Sequence, residues 1–403
     1  MTIFEDMENT LKTVTDAVSP VIAERVPICE SFGRVLAEDI ASPEDVPAYS
    51  RSAFDGYAFR ACDTAAATAN EPAILRILEE IPAGSLPQKE LSPACAVKIL
   101  TGAPLPDGAD AVIKHEETDF SGSEVRIFRS VSSGAGILPA GSDLKLGERA
   151  LSRGCVIGAA ETAVLAALGY ASVPVFRRPK IGIAATGSEL VEIDAPLHPG
   201  KLRDSNPYMI AAACAALGCE TEILGIAADT AEDIAGLIFI GLSECDMVIT
   251  SGGVSAGDYD LTPDAIEMAG GTLLFRRPSS MPGGACAYGV GTDGKLVCAL
   301  SGSPGAALIN FMTFAAAAVK KLSGREDYLP KTAALPLASA AKMRRREGLV
   351  PGTLDFSEGK LSVSLPDRRI SPLARLPGVT VLVSVPAGEG EIPAGTALTC
   401  LLP

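Results

Sequence analysis

Apolar residues fall along this chain in three rhythms. Near the start, Met7, Leu11, Val14 and Val18 recur at helical spacing until Pro20, and residues 158–168 repeat that rhythm until Gly169. Residues 46–140 instead carry short apolar runs such as AVKIL and ADAVIK between glycines and prolines, which predicts strands and turns. From 176 to 322 the pattern predicts alternating strand and helix. KIGIAAT is a strand. Asn206 and Pro207 make an N-cap and first turn for MIAAACAAL, which Gly218 stops. ETEILGIAA is the next strand, and Thr230 with Asp233 resembles a capping box opening a helix through Leu242. DMVIT, GTLLF and KLVCAL continue the strands, and SPGAALINFMTFAAAAVKK is the closing helix. Beyond residue 326, LSVSLP, VTVLVSVP and ALTCLLP predict a small β domain.

These rhythms predict an α/β multidomain protein. A helical part (1–45 and 141–175) carries a β-rich insertion (46–140), followed by a doubly wound, largely parallel α/β domain (176–325) and the terminal β domain (326–403). Within the α/β stretch, three apolar runs break into small-residue loops: IGIAATGSEL (181–190), DMVITSGGVSAGDYD (246–260) and LVCALSGSPGAAL (296–308). Loops at the carboxyl ends of parallel strands turn backbone N–H groups and helix N-termini toward one crevice, the usual seat of a phosphorylated ligand. The site is therefore expected in the middle of the chain.

Composition narrows the classes. At 403 residues, about three domains are expected, each with room for a core. Aromatics make up 5% and Trp is absent, so the cores must be built from Ala, Val, Ile and Leu. A net charge of −15 argues against nucleic acid and anionic membranes, which bulk positive potential holds. The opening MTIFEDMENT is acidic where a secretory signal is basic, and the apolar tract Ala306–Val319 is short and interrupted by Asn310 and Thr313. A cytoplasmic protein without a membrane segment is the expectation. The ten cysteines never fall in C-x-x-C spacing, as expected of small core residues in a reducing compartment.

Two motif matches compete. Residues 289–294 satisfy G-x-G-x-x-G, but a strand follows where a dinucleotide fingerprint needs a helix, so a hairpin turn is expected there. Residues 253–257 satisfy the nucleophile-elbow pattern G-x-S-x-G, yet the histidines, His115 and His198, both precede Ser255, against the chain order of that fold. No P-loop signature exists. An acid-and-glycine constellation remains: Glu189 past ATGS, with Asp258 and Asp260 past SGGVSAG. Carboxylates beside phosphate-binding amides suit a hard cation such as Mg²⁺, while solvated loop acids or caps are the alternative, for Asp55 and Asp110 as well.

Taken together, S-A-F-D-G-Y-A (52–58), G-R-V-L-A-E-D-I (33–40), L-T-G-A-P-L-P-D-G-A-D-A-V-I (100–113), A-T-G-S-E-L (185–190), D-S-N-P (204–207), S-G-G-V-S-A-G-D-Y-D (251–260) and S-G-S-P-G-A (301–306) resemble the molybdopterin molybdenumtransferase family, whose relatives include the C-terminal domain of gephyrin. The resemblance implies an elongated homodimer whose α/β domain binds molybdopterin and whose last part is a β-barrel. It implies insertion of molybdate into adenylyl-molybdopterin with release of AMP, Mg²⁺ assisting, at a site shared between the α/β domain of one subunit and the inserted part of the other. Further implied partners are apo-molybdoenzymes and the enzyme that forms adenylyl-molybdopterin. Position by position, it implies catalytic roles for Asp55, Thr101, Asp143, Glu189, Asp229 and Asp260, with Glu189 and Asp260 holding magnesium or its waters. Ser205, Asn206, Gly252, Gly253, Ser255, Ser303, Pro304 and Gly305 are implied to line the phosphate and pterin crevice.

The chain also departs from that pattern. It reads M-P-G-G-A (281–285) where the family usually has K-P-G-K-P, Ser188 where Asp is common, Ser303 where Asn is common and His115 where Gln is common. Two classes follow: an active transferase, using Lys201, Arg203, Arg276 or Arg277 in place of the missing lysines or taking another oxyanion such as tungstate, and a non-catalytic paralogue that binds a pterin nucleotide or a molybdoenzyme.

Overall fold

The structure is a computed structural model that describes residues 3–254, 261–276, 285–357, 359–367 and 369–402. The chain forms two compact units, one of Met1–Glu38, Arg153–Thr162 and Ala171–Pro403, the other of Asp39–Ser152 and Ala163–Tyr170.

The first unit is organised around a six-stranded sheet of β1 (Lys180–Thr186), β2 (Glu220–Ala227), β3 (Met247–Ser251), β4 (Thr272–Arg276), β5 (Ala287–Val290) and β6 (Leu296–Leu300). Their order is β2-β1-β3-β6-β5-β4. The first four of that series run parallel, and β5 is antiparallel to both its neighbours. Period-two alternation decides the faces. Ile181, Ile183, Met247, Ile249, Cys298 and Leu300 enter one core, whereas Val248 and Val297 enter another beneath the helix α2 (Ala231–Glu244). Both faces are covered, hence the near-continuous apolar runs. The residues 289–294 form the expected hairpin connection, with Val290 paired to Leu296.

Two helix starts differ in an instructive way. The α2 helix opens with half of the expected box: the Thr230 hydroxyl accepts the Asp233 N–H at 3.1 Å, while the Thr230 N–H donates to Ala228 O at 2.8 Å and not to the Asp233 side chain. The helix α1 (Asn206–Ala216), however, includes Asn206 as its first residue, flanked by Ser205, which makes no side-chain cap. The amide of Asn206 is committed elsewhere, to the crevice loops described below.

The closing helix runs from Pro304 to Leu322 with a π-helical segment over Phe311–Ala315. It is the one helix among the described residues long and apolar enough to cross a membrane, and 78% of its apolar window is buried in the fold. Its two polar interruptions are buried as well: Thr313 donates to Ile309 O at 2.7 Å, and Asn310 Oδ1 accepts the Ser301 N–H at 3.4 Å. The N-terminal helix Ile3–Asp16 buries Met7, Leu11 and Val14 in the same core. Toward the C-terminus, strands Lys331–Pro336, Ala397–Leu402, Val381–Val385, Gly348–Ser357 and Lys360–Ser364 form a sheet in that order, curled until Leu337 bridges Val363 as a partial barrel.

The second unit is β-rich. Strands Ala111–Lys114, Gly56–Phe59, Cys95–Ile99, Ala73–Ile81, Glu124–Ile127 and Thr118–Phe120 lie in that order, with Tyr57 and Phe59 buried on one face and Ala58, Val97 and Ile99 on the other.

Candidate active-site crevice

Strand order reverses between β1 and β3, the position where open α/β sheets form a ligand crevice at their carboxyl ends. A cavity of about 380 Å³ lies there. Its wall comes from the β1 loop (Thr186, Gly187, Glu189, Leu190), the segment 202–206, Asp229 after β2, the loop 251–254 after β3, and residues 301–304 after β6.

Glycine is required at the base of this crevice. Gly252 has φ +104° and Gly253 φ +65°. A Cβ on Gly252 would sit 2.3 Å from Thr186 O, and one on Gly253 2.3 Å from Thr262 Oγ1. Only a residue without a side chain permits β1, β3 and the following helix to approach so closely.

Asn206 ties the loops together. Its Nδ2 donates to Ser251 Oγ at 2.7 Å and to Gly302 O at 2.8 Å, while Ser251 Oγ donates to Ser301 O at 3.2 Å. A second brace links the β1 loop to the end of β2: Ser188 N donates to Asp229 Oδ2 at 2.8 Å, and Asp229 N donates to Ser188 Oγ at 3.3 Å. Lys201 Nζ donates to Ser188 O at 2.6 Å and Arg203 to Ala195 O at 3.4 Å, so both cations stand beside the crevice already engaged with backbone oxygen.

The expected residues divide into groups. Glu189, Asp229, Ser205, Asn206, Gly252, Gly253, Ser303 and Pro304 line one cavity. Gly305 follows in the first turn of the closing helix, outside the lining. Ser255, Asp258 and Asp260 lie outside the described residues, as do positions 277–284, which include Arg277, Met281 and Gly284. Asp55, Thr101 and Asp143 belong to the second unit. There Asp55 Oδ1 accepts from Thr101 N at 2.7 Å and Thr101 Oγ1 at 2.6 Å, and those bonds hold the Asp55 carboxyl below its ordinary range. Asp143 stands 4.0 Å from Arg51. Asp110 has a structural task, accepting the Ala61 N–H at 2.6 Å.

Asp204 is not singled out by its sequence context, yet it lines the crevice and is only 5% exposed. Burial pushes its carboxyl up to about 6, opposed by the Asn206 N–H and reinforced by Glu192. The signal is present in the D-S-N-P string, but the short parallel pairing of Leu190–Val191 with Leu202–Arg203 that draws Asp204 inward has no periodicity to announce it.

The donors suit a hard cation: Glu189 and Asp229 present carboxylate oxygen among serine hydroxyls. Among the described residues, no three His, Cys, Asp or Glu side chains gather closely enough to hold a metal alone.

Fold and site thus define a class: an α/β protein with a crevice lined by small and acidic residues at the switch point of its sheet. Residues 5–169 match the family described as MoeA N-terminal region (domain I and II), and residues 182–321 the one described as probable molybdopterin binding domain. The chain is 39% identical over 295 residues to a molybdopterin molybdenumtransferase of Bacillus subtilis, covering 72% of this chain and 68% of that protein. It is 34% identical over 380 residues to molybdopterin molybdenumtransferase 2 of Mycobacterium tuberculosis, 93% of each chain. The crystal structure of the molybdopterin biosynthesis MoeA protein from Pyrococcus horikoshii OT3, 29% identical, superposes with a TM-score of 0.83 over 98% of this chain and 99% of that one. The chain belongs to the molybdopterin molybdenumtransferase family.

Proposed function

We propose that this protein inserts molybdate into the dithiolene of adenylyl-molybdopterin and releases AMP, and that it does so with Mg²⁺, as a cytoplasmic homodimer. The observation that carries the reading is the crevice itself. Strand-end loops, held in register by Asn206, bring backbone amides together with Glu189 and Asp229 in a member of this family.

Each group has a task in that chemistry. The Gly252 and Gly253 loop, with Ser303, Pro304 and Gly305 at the start of the closing helix, frames the seat of the phosphates, where the N–H groups of Gly253, Ser303 and Gly305 stabilise charge as the anhydride opens; Pro304 has no N–H, and that of Gly252 donates to Leu300 O at 3.0 Å. Asp229, braced by Ser188, fixes the β1 loop so that Glu189 stays on the rim. Glu189 and Asp260 are the proposed magnesium ligands, and Mg²⁺ when bound neutralises phosphate charge. Ser205 and Asn206 belong to the lining, and Ser255 is proposed to contact the same ligand. The acids of the β-rich insertion, Asp55 with Thr101 and Asp143, are proposed to serve the crevice of the partner subunit. We retain the four-part division at 1–45 with 141–175, 46–140, 176–325 and 326–403 as the organisation behind this reading. A protein that only bound a pterin nucleotide would have little use for so many acids around an anion.

The test is reconstitution of an apo-molybdoenzyme with this protein, adenylyl-molybdopterin, Mg²⁺ and molybdate. AMP release that depends on molybdate, together with recovered molybdoenzyme activity, is the expected result. Ligand binding without AMP release would leave a binding protein in place of a transferase.

A further inference from the structure

Asp204 is the acid for which the proposed chemistry has no use. It lines the crevice, is 5% exposed, and forms no ion pair among the described residues. The charged groups around it offer no compensation. Glu192 faces it as a like charge, Glu189 and Asp229 line the same crevice, and the neighbouring cations Lys201 and Arg203 are turned to the carbonyls of Ser188 and Ala195. What favours its charged form is the nearby backbone N–H of Asn206 at the start of α1, not a cation.

A carboxylate buried without a cation is costly, and a phosphorylated ligand entering beside it adds a repulsive neighbour. One proton removes both penalties and converts the acceptor into a donor. We propose that Asp204 is a ligand-binding residue that meets the ligand's pyrophosphate as a neutral carboxylic acid, donating its O–H to a phosphate oxygen, so that ligand entry is coupled to proton uptake. Burial has already moved this carboxyl up to about 6, within reach of such a switch. The inference rests on the reading of this crevice as the seat of a nucleotide joined through a pyrophosphate.

The probe is ADP-ribose, a pyrophosphate diester without the monoester oxygen that titrates near about pH 6. Calorimetry on the full-length protein should give an affinity that falls about tenfold or more between about pH 5 and about pH 7.5, the factor expected when a donor ionises next to an anion. Measured near neutrality in buffers of different ionisation enthalpy, binding should take up a proton. Asp204→Asn, which keeps a neutral donor, should hold the low-pH affinity across that range and take up no proton. A parallel fall in wild type and variant, or wild-type binding without proton uptake, overturns the role of Asp204 and leaves the nucleotide reading intact. Absence of ADP-ribose binding at every pH overturns the nucleotide reading, and this inference with it. Proton uptake is read on the wild type alone, so the proposal stays testable even if the variant fails to fold.

Discussion

At the scale of single residues, the crevice separates backbone necessity from chemistry. Gly252 combines φ +104° with a Cβ position 2.3 Å from Thr186 O, so Gly252→Ala should destabilise the fold by more than about 1 kcal/mol. A Cβ on Gly305 meets nothing within 4 Å, and the residue sits in a helical turn where Ala is preferred. Gly305→Ala should therefore unfold at the same or a slightly higher denaturant concentration. Equal midpoints for the two variants would mean that close approach is not what Gly252 provides. Asp229 illustrates the other kind of residue. Its bonds with Ser188 join two exposed loop ends, so Asp229→Ala should cost no more than about 1 kcal/mol while AMP release falls by about tenfold or more. Activity that declines only in step with the folded fraction would mean that Asp229 does nothing for the reaction beyond stability. The buried carboxyl of Asp204 gives stability a sign as well. Its folded-state pKa lies above its ordinary value, so the folded protein binds the extra proton, and stability is lost as pH rises from the usual carboxylate range through about 6. Asp204→Asn should remove that part of the slope, which melting curves at a series of pH values would read.

At the scale of elements, the α2 helix depends at its start on one hydroxyl, and Thr230→Ala should cost about 1 kcal/mol while Thr230→Ser keeps most of it. A Thr230→Ala protein as stable as wild type would show that packing of Ile234, Ile238 and Leu242 alone holds the helix. Local rules of this kind are legible in the sequence, because a cap, a Pro in the first turn or a two-residue alternation acts over a few neighbours. So are β1, β3 and β6, since residues on both faces of a covered strand must be apolar. What the sequence hides depends on contacts far apart in the chain. Asn206 looks like a helix cap in sequence, yet it spends its amide on Ser251 and Gly302, 45 and 96 residues away. Asn310 and Thr313 look like breaks in an apolar run; they sit buried at and inside a π-helical segment that leads away from the crevice. Asp204 looks like any loop acid until a two-residue strand pair folds it inward.

At the scale of the whole molecule, the proposed site needs acids from both compact units, and those units belong to one polypeptide. Asp55, held with Thr101 by two short bonds, lies in the β-rich unit, while Glu189 lines the α/β crevice. A mixture of variants distinguishes a site built within one subunit from one shared across a dimer. Light scattering on the wild type should report twice the 41.3 kDa of one chain. Asp55→Ala and Glu189→Ala should each abolish AMP release with little change in melting, since neither side chain belongs to a core. If Asp55 serves the partner's crevice, each mixed dimer holds one site with both acids and one with neither, and activity should return toward half that of wild-type sites per heterodimer. Sites built within one chain predict no recovery, because every site then lacks one acid. Subunit exchange must be verified by mass, since unexchanged homodimers stay silent under either arrangement. Recovery with confirmed exchange would also explain why a surface carboxylate such as Asp55 is held ionised by Thr101 in a unit whose own cores are complete without it.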